Sequence, residues 1–230
     1  MTEADRIVAD YERRAAEVPR ERYSATNPGH LFIRQTIERA LVRMLGEAGA
    51  LPLAERRILD VGCGEGQWLA DLETLGAARE RLAGLDLVEG RVESARERLP
   101  GADIRLGDAS RLPWEDESFD LLVQSMMFSS ILDLEVAERA AREMDRVLTR
   151  DGCVLWYDFF VDPPGNPGAR GVGRRDVAAL FPGYRMRWRR VTLAPPLARL
   201  LAPRGWPLAS LLQALRIFDT HAMATLSRGG

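Results

Sequence analysis

Between Ile58 and Phe160 short apolar runs alternate with segments of helical periodicity, and this alternation narrows the available folds more than any other feature. "RRILDVG", "RLAGLDL", "ADIRLGD", "FDLLVQSMMF" and "CVLWYDFF" predict strands. "GQWLADLETLG", "GRVESARERLP" and "EVAERAAREMDRVLT" predict helices, the last closed by Asp151-Gly152. Strands separated by helices describe a parallel sheet covered on both faces, because each crossover has to return across the sheet.

The flanks extend that core. "LFIRQTIERALVRMLG" predicts a helix from Leu31 to Gly46. After Phe160, "VDPPGNPGARGVG" marks a loop, and "RRDVAALF" predicts a short helix. "YRMRWRRVTLA" alternates like a strand, "PLARLLAPRGWPLASLLQAL" reads as helices broken by Pro203 and Pro207, and "THAMATLS" is a last strand. The expected fold is therefore α/β: a doubly wound, mainly parallel seven-stranded sheet. It carries an N-terminal helical cap and a lid-like helical insertion between the last two strands. At 230 residues the chain can bury a core as one domain, with a cap over 1–50, a cofactor-binding core over 51–160 and an acceptor side over 161–230.

Composition removes several function classes. Acidic and basic residues nearly balance, 34 against 32, and all the basic ones are arginines. Without lysine there is neither a Schiff base nor a phosphate-loop lysine. Cys63 and Cys153 lack C-x-x-C partners, which excludes a zinc ribbon and a cysteine-ligated cluster, so no metal is expected. The start "MTEADRIVADYERR" is charged and no apolar run reaches membrane-span length, so a cytoplasmic protein without a membrane span is expected.

The chemistry concentrates at the strand ends, where open α/β sheets bind ligands. "ILDVGCGEGQWL" places Asp60, Gly62, Cys63, Gly64 and Gly66 after the first strand. The spacing is G-x-G-x-G, and Gln67 stands where a dinucleotide fingerprint needs its third glycine. Asp60 suits an ammonium group better than a pyrophosphate. A nucleoside joined to an amino acid meets both demands, and S-adenosylmethionine is the common example. Asp86, ending the second strand, suits both ribose hydroxyls, with Leu87 against adenine. Asp108 and the Ala109 amide suit the adenine edge, and Gln124 and Ser125 end the fourth strand beside the methionine part.

With "LAGLDL", "LGDASRLPWEDESFDLLVQSMMF" and "REMDRVLTRDGCVLWYDF" in order, the chain resembles a class I S-adenosylmethionine-dependent methyltransferase of the small-molecule, type 11-like kind. The resemblance implies a Rossmann-like fold whose sheet has an antiparallel last strand, with Gly62 and Gly64 along the methionine part, Asp86 on ribose, and Asp108 with Ala109 on adenine. The flanks "YSATNPGHLF" and the region after Phe160 resemble the variable parts that build an acceptor pocket. Amide- and adenine-methylating members carry an Asn/Asp-Pro-Pro-aromatic motif after the fourth strand; this chain reads "QSMMF" there.

The reaction expected is methyl transfer to a small-molecule acceptor, with oxygen as the favoured atom, by in-line displacement that leaves S-adenosylhomocysteine. His30, His221 and Asp158 are candidate bases, each with a capping or structural alternative. Tyr23 is a candidate to close over the methionine carboxylate. Phe32, Met127, Phe128, Tyr157, Phe159 and Trp206 are candidates for the acceptor pocket, although strand alternation sends Tyr157 and Phe159 to one face and Phe160 to the other. Two other readings remain: an RNA methyltransferase using the arginines between Arg170 and Arg190, and a non-catalytic cofactor-binding partner. Nucleic acid is otherwise disfavoured as a partner, and either a monomer or a homodimer is expected.

Overall fold

In the computed structural model, which describes residues 2–17, 19–24 and 26–229, the alternating pattern becomes one layered sheet. Met1, Val18, Ala25 and Gly230 lie outside the described residues, so Ala25 of the "YSATNPGHLF" flank is among them. Helices α1 (Glu3–Glu17) and α2 (Pro28–Glu47) precede strand β1 (Ile58–Val61). Asn27 starts α2 by accepting from the Gly29 and His30 amides, with Pro28 at the first helical position. The chain continues through α3 (Gln67–Thr74), β2 (Leu82–Asp86), α4 (Glu89–Arg98), β3 (Asp103–Leu106) and β4 (Phe119–Ser125). Next come α5 (Leu134–Val147), β5 (Leu148–Phe159), α6 (Arg174–Leu180) and β6 (Tyr184–Leu193). The last elements are α7 (Pro195–Leu201), α8 (Trp206–Leu215) and β7 (Asp219–Arg228).

All seven strands join one sheet in the order β3-β2-β1-β4-β5-β7-β6. The first five run parallel, and β7 lies antiparallel between β5 and β6. Strand alternation divides the core. Leu59, Val61, Leu122, Val154 and Trp156 pack towards α5 and α6. Ile58, Leu121, Val123, Leu155 and Tyr157 pack towards α2, α3 and α4. A third, small cluster gathers Phe32, Leu193, Ala198 and Ala209 beneath α7 and α8.

Three details are not carried by the periodicity, and the first lies at the crevice between β1 and β4, where the strand order reverses. Strand β4 stops at Ser125 instead of running through "MMF", because Met126 takes a positive φ of 59° and a 3-10 turn follows over Phe128–Ser130. β5 begins at Leu148, ahead of Asp151-Gly152, and its register against β4 shifts between Phe119 and Leu121. No helix forms between β3 and β4. The Arg146 guanidinium holds that connection instead, donating to Leu112 O (3.0 Å) and Trp114 O (2.8 Å) and pairing with Asp116 (2.9 Å) and Glu143 (2.7 Å).

Candidate functional site

A cavity of about 280 Å3 opens at the carboxyl ends of β1, β2 and β4. Its floor is the turn after β1, where Gly62, Gly64 and Gly66 take φ values of 79°, 54° and 77°. Those values favour glycine, and at Gly62 there is also no room: a Cβ would lie 2.9 Å from Met127 Cβ and Cγ. The Gly62 and Cys63 amides donate to Leu85 O (2.8 and 3.0 Å), which ties the turn to β2. Cys63 lines the cavity, but burial pushes its thiol well up, so it is a small wall residue without nucleophilic character.

Asp86 lines the same space and accepts from the Gly64 amide (2.8 Å) and the Val88 amide (2.9 Å). An ionised carboxylate has about four acceptor positions, so two remain for a ligand. Asp108, which accepts from the Ser110 amide (2.8 Å), faces the cavity with Leu87, Ala109 and Ser125. Asp60 lies on β1 beneath the glycine turn, 1 % exposed, and neither carboxylate oxygen has a hydrogen-bond partner. Burial, with the nearby Asp86 charge, pushes its carboxyl up to about 8. An unpaired buried carboxyl is costly and calls for a donor. A ligand amino group would supply one, so the residues present fit an amino-acid nucleoside.

The other sequence candidates divide by position. Met127 and Phe159 line the cavity. Gly66 instead packs against Ala95 and Leu99, and Gln124 is buried with its Oε1 accepting from the Met127 amide (3.3 Å). Tyr157 sits behind the wall, its ring 5.6 Å from Trp68, and its hydroxyl shares a hydrogen bond with Thr192 Oγ1 (2.8 Å). Phe128 is fully buried on Trp156, ring centroids 4.6 Å apart. Phe32 and Trp206 meet edge-on at 5.9 Å under the helical insertion, away from the cavity lining.

None of the three candidate bases lines the cavity. Asp158 faces away from Tyr157, and its carboxylate accepts from the Ser129 amide (3.0 Å) and its own Phe159 amide (2.8 Å). Burial pushes it up to about 6, and its bonds seat the turn after β4. His221 is buried between the Tyr157 ring, stacked at 5.3 Å, and the Phe159 ring at 4.1 Å, and burial holds it down to about 3, so it is neutral near pH 7. His30 is half-buried at the start of α2, edge-on to an exposed Tyr23 (5.8 Å), and is lowered by burial and by Arg34 and Arg199.

Several lining residues have no counterpart among the sequence candidates. Helix α1 roofs the cavity with Ile7, Tyr11 and Arg14, a stripe at helical spacing. The Tyr11 hydroxyl bonds Ser130 Oγ (2.9 Å), and the Arg91 guanidinium lies 3.9 Å from the Tyr11 ring centre. Arg6 donates to Ser130 O (2.5 Å), and Glu3 accepts from the Leu132 amide (2.6 Å). Trp68, Met126, Asn166 and Ala169 complete the wall. The arginines between 170 and 190 are dispersed: Arg170 donates to Ile131 O, Arg187 and Arg189 engage Glu47, and Arg190 lies over Phe160.

Residues 59–156 match the family model described as a methyltransferase domain. The malonyl-[acyl-carrier protein] O-methyltransferase of Methylococcus capsulatus is 34% identical over 152 residues, 63% of this chain and 54% of that protein. The demethylmenaquinone methyltransferase of Deinococcus radiodurans is 31% identical over 134 residues, 56% of this chain and 53% of that protein. The chain thus spans about half the length of the curated relatives it matches. A solved S-adenosylmethionine-dependent methyltransferase from Thermotoga maritima shares the fold with a TM-score of 0.65 at 18% identity, covering 96% of this chain and 99% of that one.

Proposed function

We propose, from the match of residues 59–156 to a methyltransferase domain, that this chain binds S-adenosylmethionine and transfers its methyl group to a small molecule, at an oxygen. The supporting observation is the placing of three carboxyls about one cavity: Asp86 with two acceptor positions left and Asp108 beside Ala109 line it, and Asp60, with no partner, is buried on β1 beneath its glycine floor. In this reading Asp60 takes the ammonium group, Asp86 the ribose hydroxyls, and Asp108 with the Ala109 amide the adenine edge.

Bound there, S-adenosylmethionine supplies a methyl group already activated by its sulfonium. The chain's own task is position. Gly62, packed on Met127, sets the floor, α1 closes the roof, and Trp68 and Phe159 keep water from the open side. Alignment of this kind can be worth on the order of 7 kcal/mol at best. The described cavity wall contains no histidine, and Asp86 is tied to two amides. Such a wall suits acceptors whose oxygen is acidic or already ionised, a carboxylate or a phenol-like hydroxyl, and a relative named as an O-methyltransferase agrees with that choice.

Calorimetric titration with S-adenosylmethionine and S-adenosylhomocysteine, with NAD as control, tests the reading on wild type and Asp86→Asn. Tight binding of the first two, weakened about tenfold or more in the variant, is expected, since a lost hydrogen bond to a charged group costs about 1.5–3 kcal/mol. Absence of binding would sink it. Binding without turnover of a methyl-labelled cofactor on any carboxylate or phenol would favour the non-catalytic partner. Methylation of RNA that falls steeply with salt would favour the nucleic-acid reading.

A further inference from the structure

The insertion between β6 and β7 reverses the usual arrangement of a surface helix. In α8 the polar Gln213 is turned inward: Nε2 donates to Val191 O (2.5 Å) and Asp219 Oδ1 (2.8 Å), and Oε1 accepts from the Leu193 amide (2.7 Å). Ala209 is buried on the same side. The opposite side presents Leu208, Leu211 and Leu215 at helical spacing, continued by Ile217 and Phe218 and flanked by Leu200 of the adjoining α7. These six side chains are 42–67% exposed. An exposed apolar surface of this extent marks a contact site.

Charge selects the occupant. From Val177 to Phe218 the chain holds seven arginines and no Asp or Glu, although its net charge is −2. Arg204 precedes α8 and Arg216 follows it. Arg216 Nη1 donates to Arg190 O (3.3 Å), and both residues line one open hollow beside the end of α8. A second copy meeting this face about a two-fold axis would set arginine against arginine. An anionic bilayer satisfies both halves, with leucines entering the boundary of the acyl chains and arginines on the headgroup phosphates. The face also stands at the same end of the sheet as the cavity, because Phe159 at the end of β5 pairs with His221 near the start of β7.

We propose that the α7–α8 face docks on a lipid bilayer bearing anionic headgroups, lying in the interface without crossing it; no described helix is long and apolar enough to span. The docking is separate from the methyl-transfer reading, since vesicle binding is measured without cofactor. Flotation of the full chain with phosphatidylcholine vesicles, with and without phosphatidylglycerol, tests it. Recovery with the phosphatidylglycerol vesicles is expected, weakened about tenfold by Leu211→Ser with Leu215→Ser, and reduced by salt. Arg190→Gln with Arg216→Gln should erase the preference for the anionic vesicles. All four positions are exposed or half-exposed, so circular dichroism should match wild type in each variant. Failure to float with either vesicle, or flotation that the leucine changes leave untouched, overturns the proposal. A dimer that the leucine changes dissolve, with no vesicle binding in wild type, assigns the face to a second copy instead.

Discussion

At Asp60 charge state, stability and ligand binding meet in one side chain. Its carboxyl titrates at about 8 in the fold, above its ordinary value, so over the interval between them the folded chain holds a proton that the unfolded chain has lost. That contribution to stability is complete below the unfolded value and is lost as pH rises through about 8. Asp60→Asn should therefore gain on wild type as pH rises, its melting temperature relative to wild type climbing by several degrees between pH ~5 and pH ~9 in cofactor-free protein. The same variant should bind S-adenosylmethionine about tenfold more weakly or worse, by calorimetry. Parallel melting curves across that range would remove the raised titration, and unchanged binding would remove Asp60 from the ammonium role. Gly62→Ala is expected to cost about 1–3 kcal/mol, from a positive φ joined to a clash with Met127, and to weaken the cofactor; thermal melts and titration read both. Asp60, Asp86 and Asp108 could be proposed from the sequence because each stands in or just after a strand, on the side of the sheet where such topologies bind ligands. Tyr11, Trp68 and Arg91 could not, since a side chain that reaches a cavity from a helix carries the same local signal as one that covers a core. His221 and Asp158 illustrate the converse: their types suggest proton transfer, whereas burial and backbone bonds make one a neutral spacer and the other an anchor for the Ser129 turn.

Elements differ in how much of their position their own sequence carries. The α2 helix was readable from Leu31 onward, and Asn27-Pro28 explains its start three residues earlier. The roof formed by α1 was not, because its placement depends on partners more than a hundred residues away, the Ser130 carbonyl and the Leu132 amide. Tyr11→Ala should raise the KM for S-adenosylmethionine about tenfold, losing both the Ser130 bond and the Arg91 contact, with a smaller change in kcat. Unchanged KM would mean that the roof plays no part in holding the cofactor. The connection from β3 to β4 is a second such element. It lacks a helix, and Arg146 stands in by collecting two carbonyls and two carboxylates. Arg146→Ala should therefore loosen the segment that carries Asp108, seen as faster amide exchange over residues 107–118 and a destabilisation of about 1–3 kcal/mol. Exchange rates equal to wild type would show that the segment holds itself.

Across the whole molecule, the sheet order carries the largest consequence. Seven strands were readable from period and spacing, and the antiparallel last strand was implied by the family resemblance. The insertion of β7 between β5 and β6 depends on register, with Leu155 opposite Thr225 and Arg187 opposite that same residue from the other side. Ala224→Pro, in a strand paired on both sides, is expected to prevent folding, whereas Arg187→Pro on the edge strand should leave a folded chain with a lowered melting temperature. Circular dichroism and melting distinguish the two, and equal tolerance of both would contradict the strand order. The same arrangement imposes a timetable on synthesis. During translation β5 and β6 emerge well before residues 219–228, and β6 pairs only with β7, so both strands wait with open hydrogen-bonding edges. In that interval the arginines along β6 act as guards, since like charges keep two nascent chains from zipping edge to edge before their own last strand arrives.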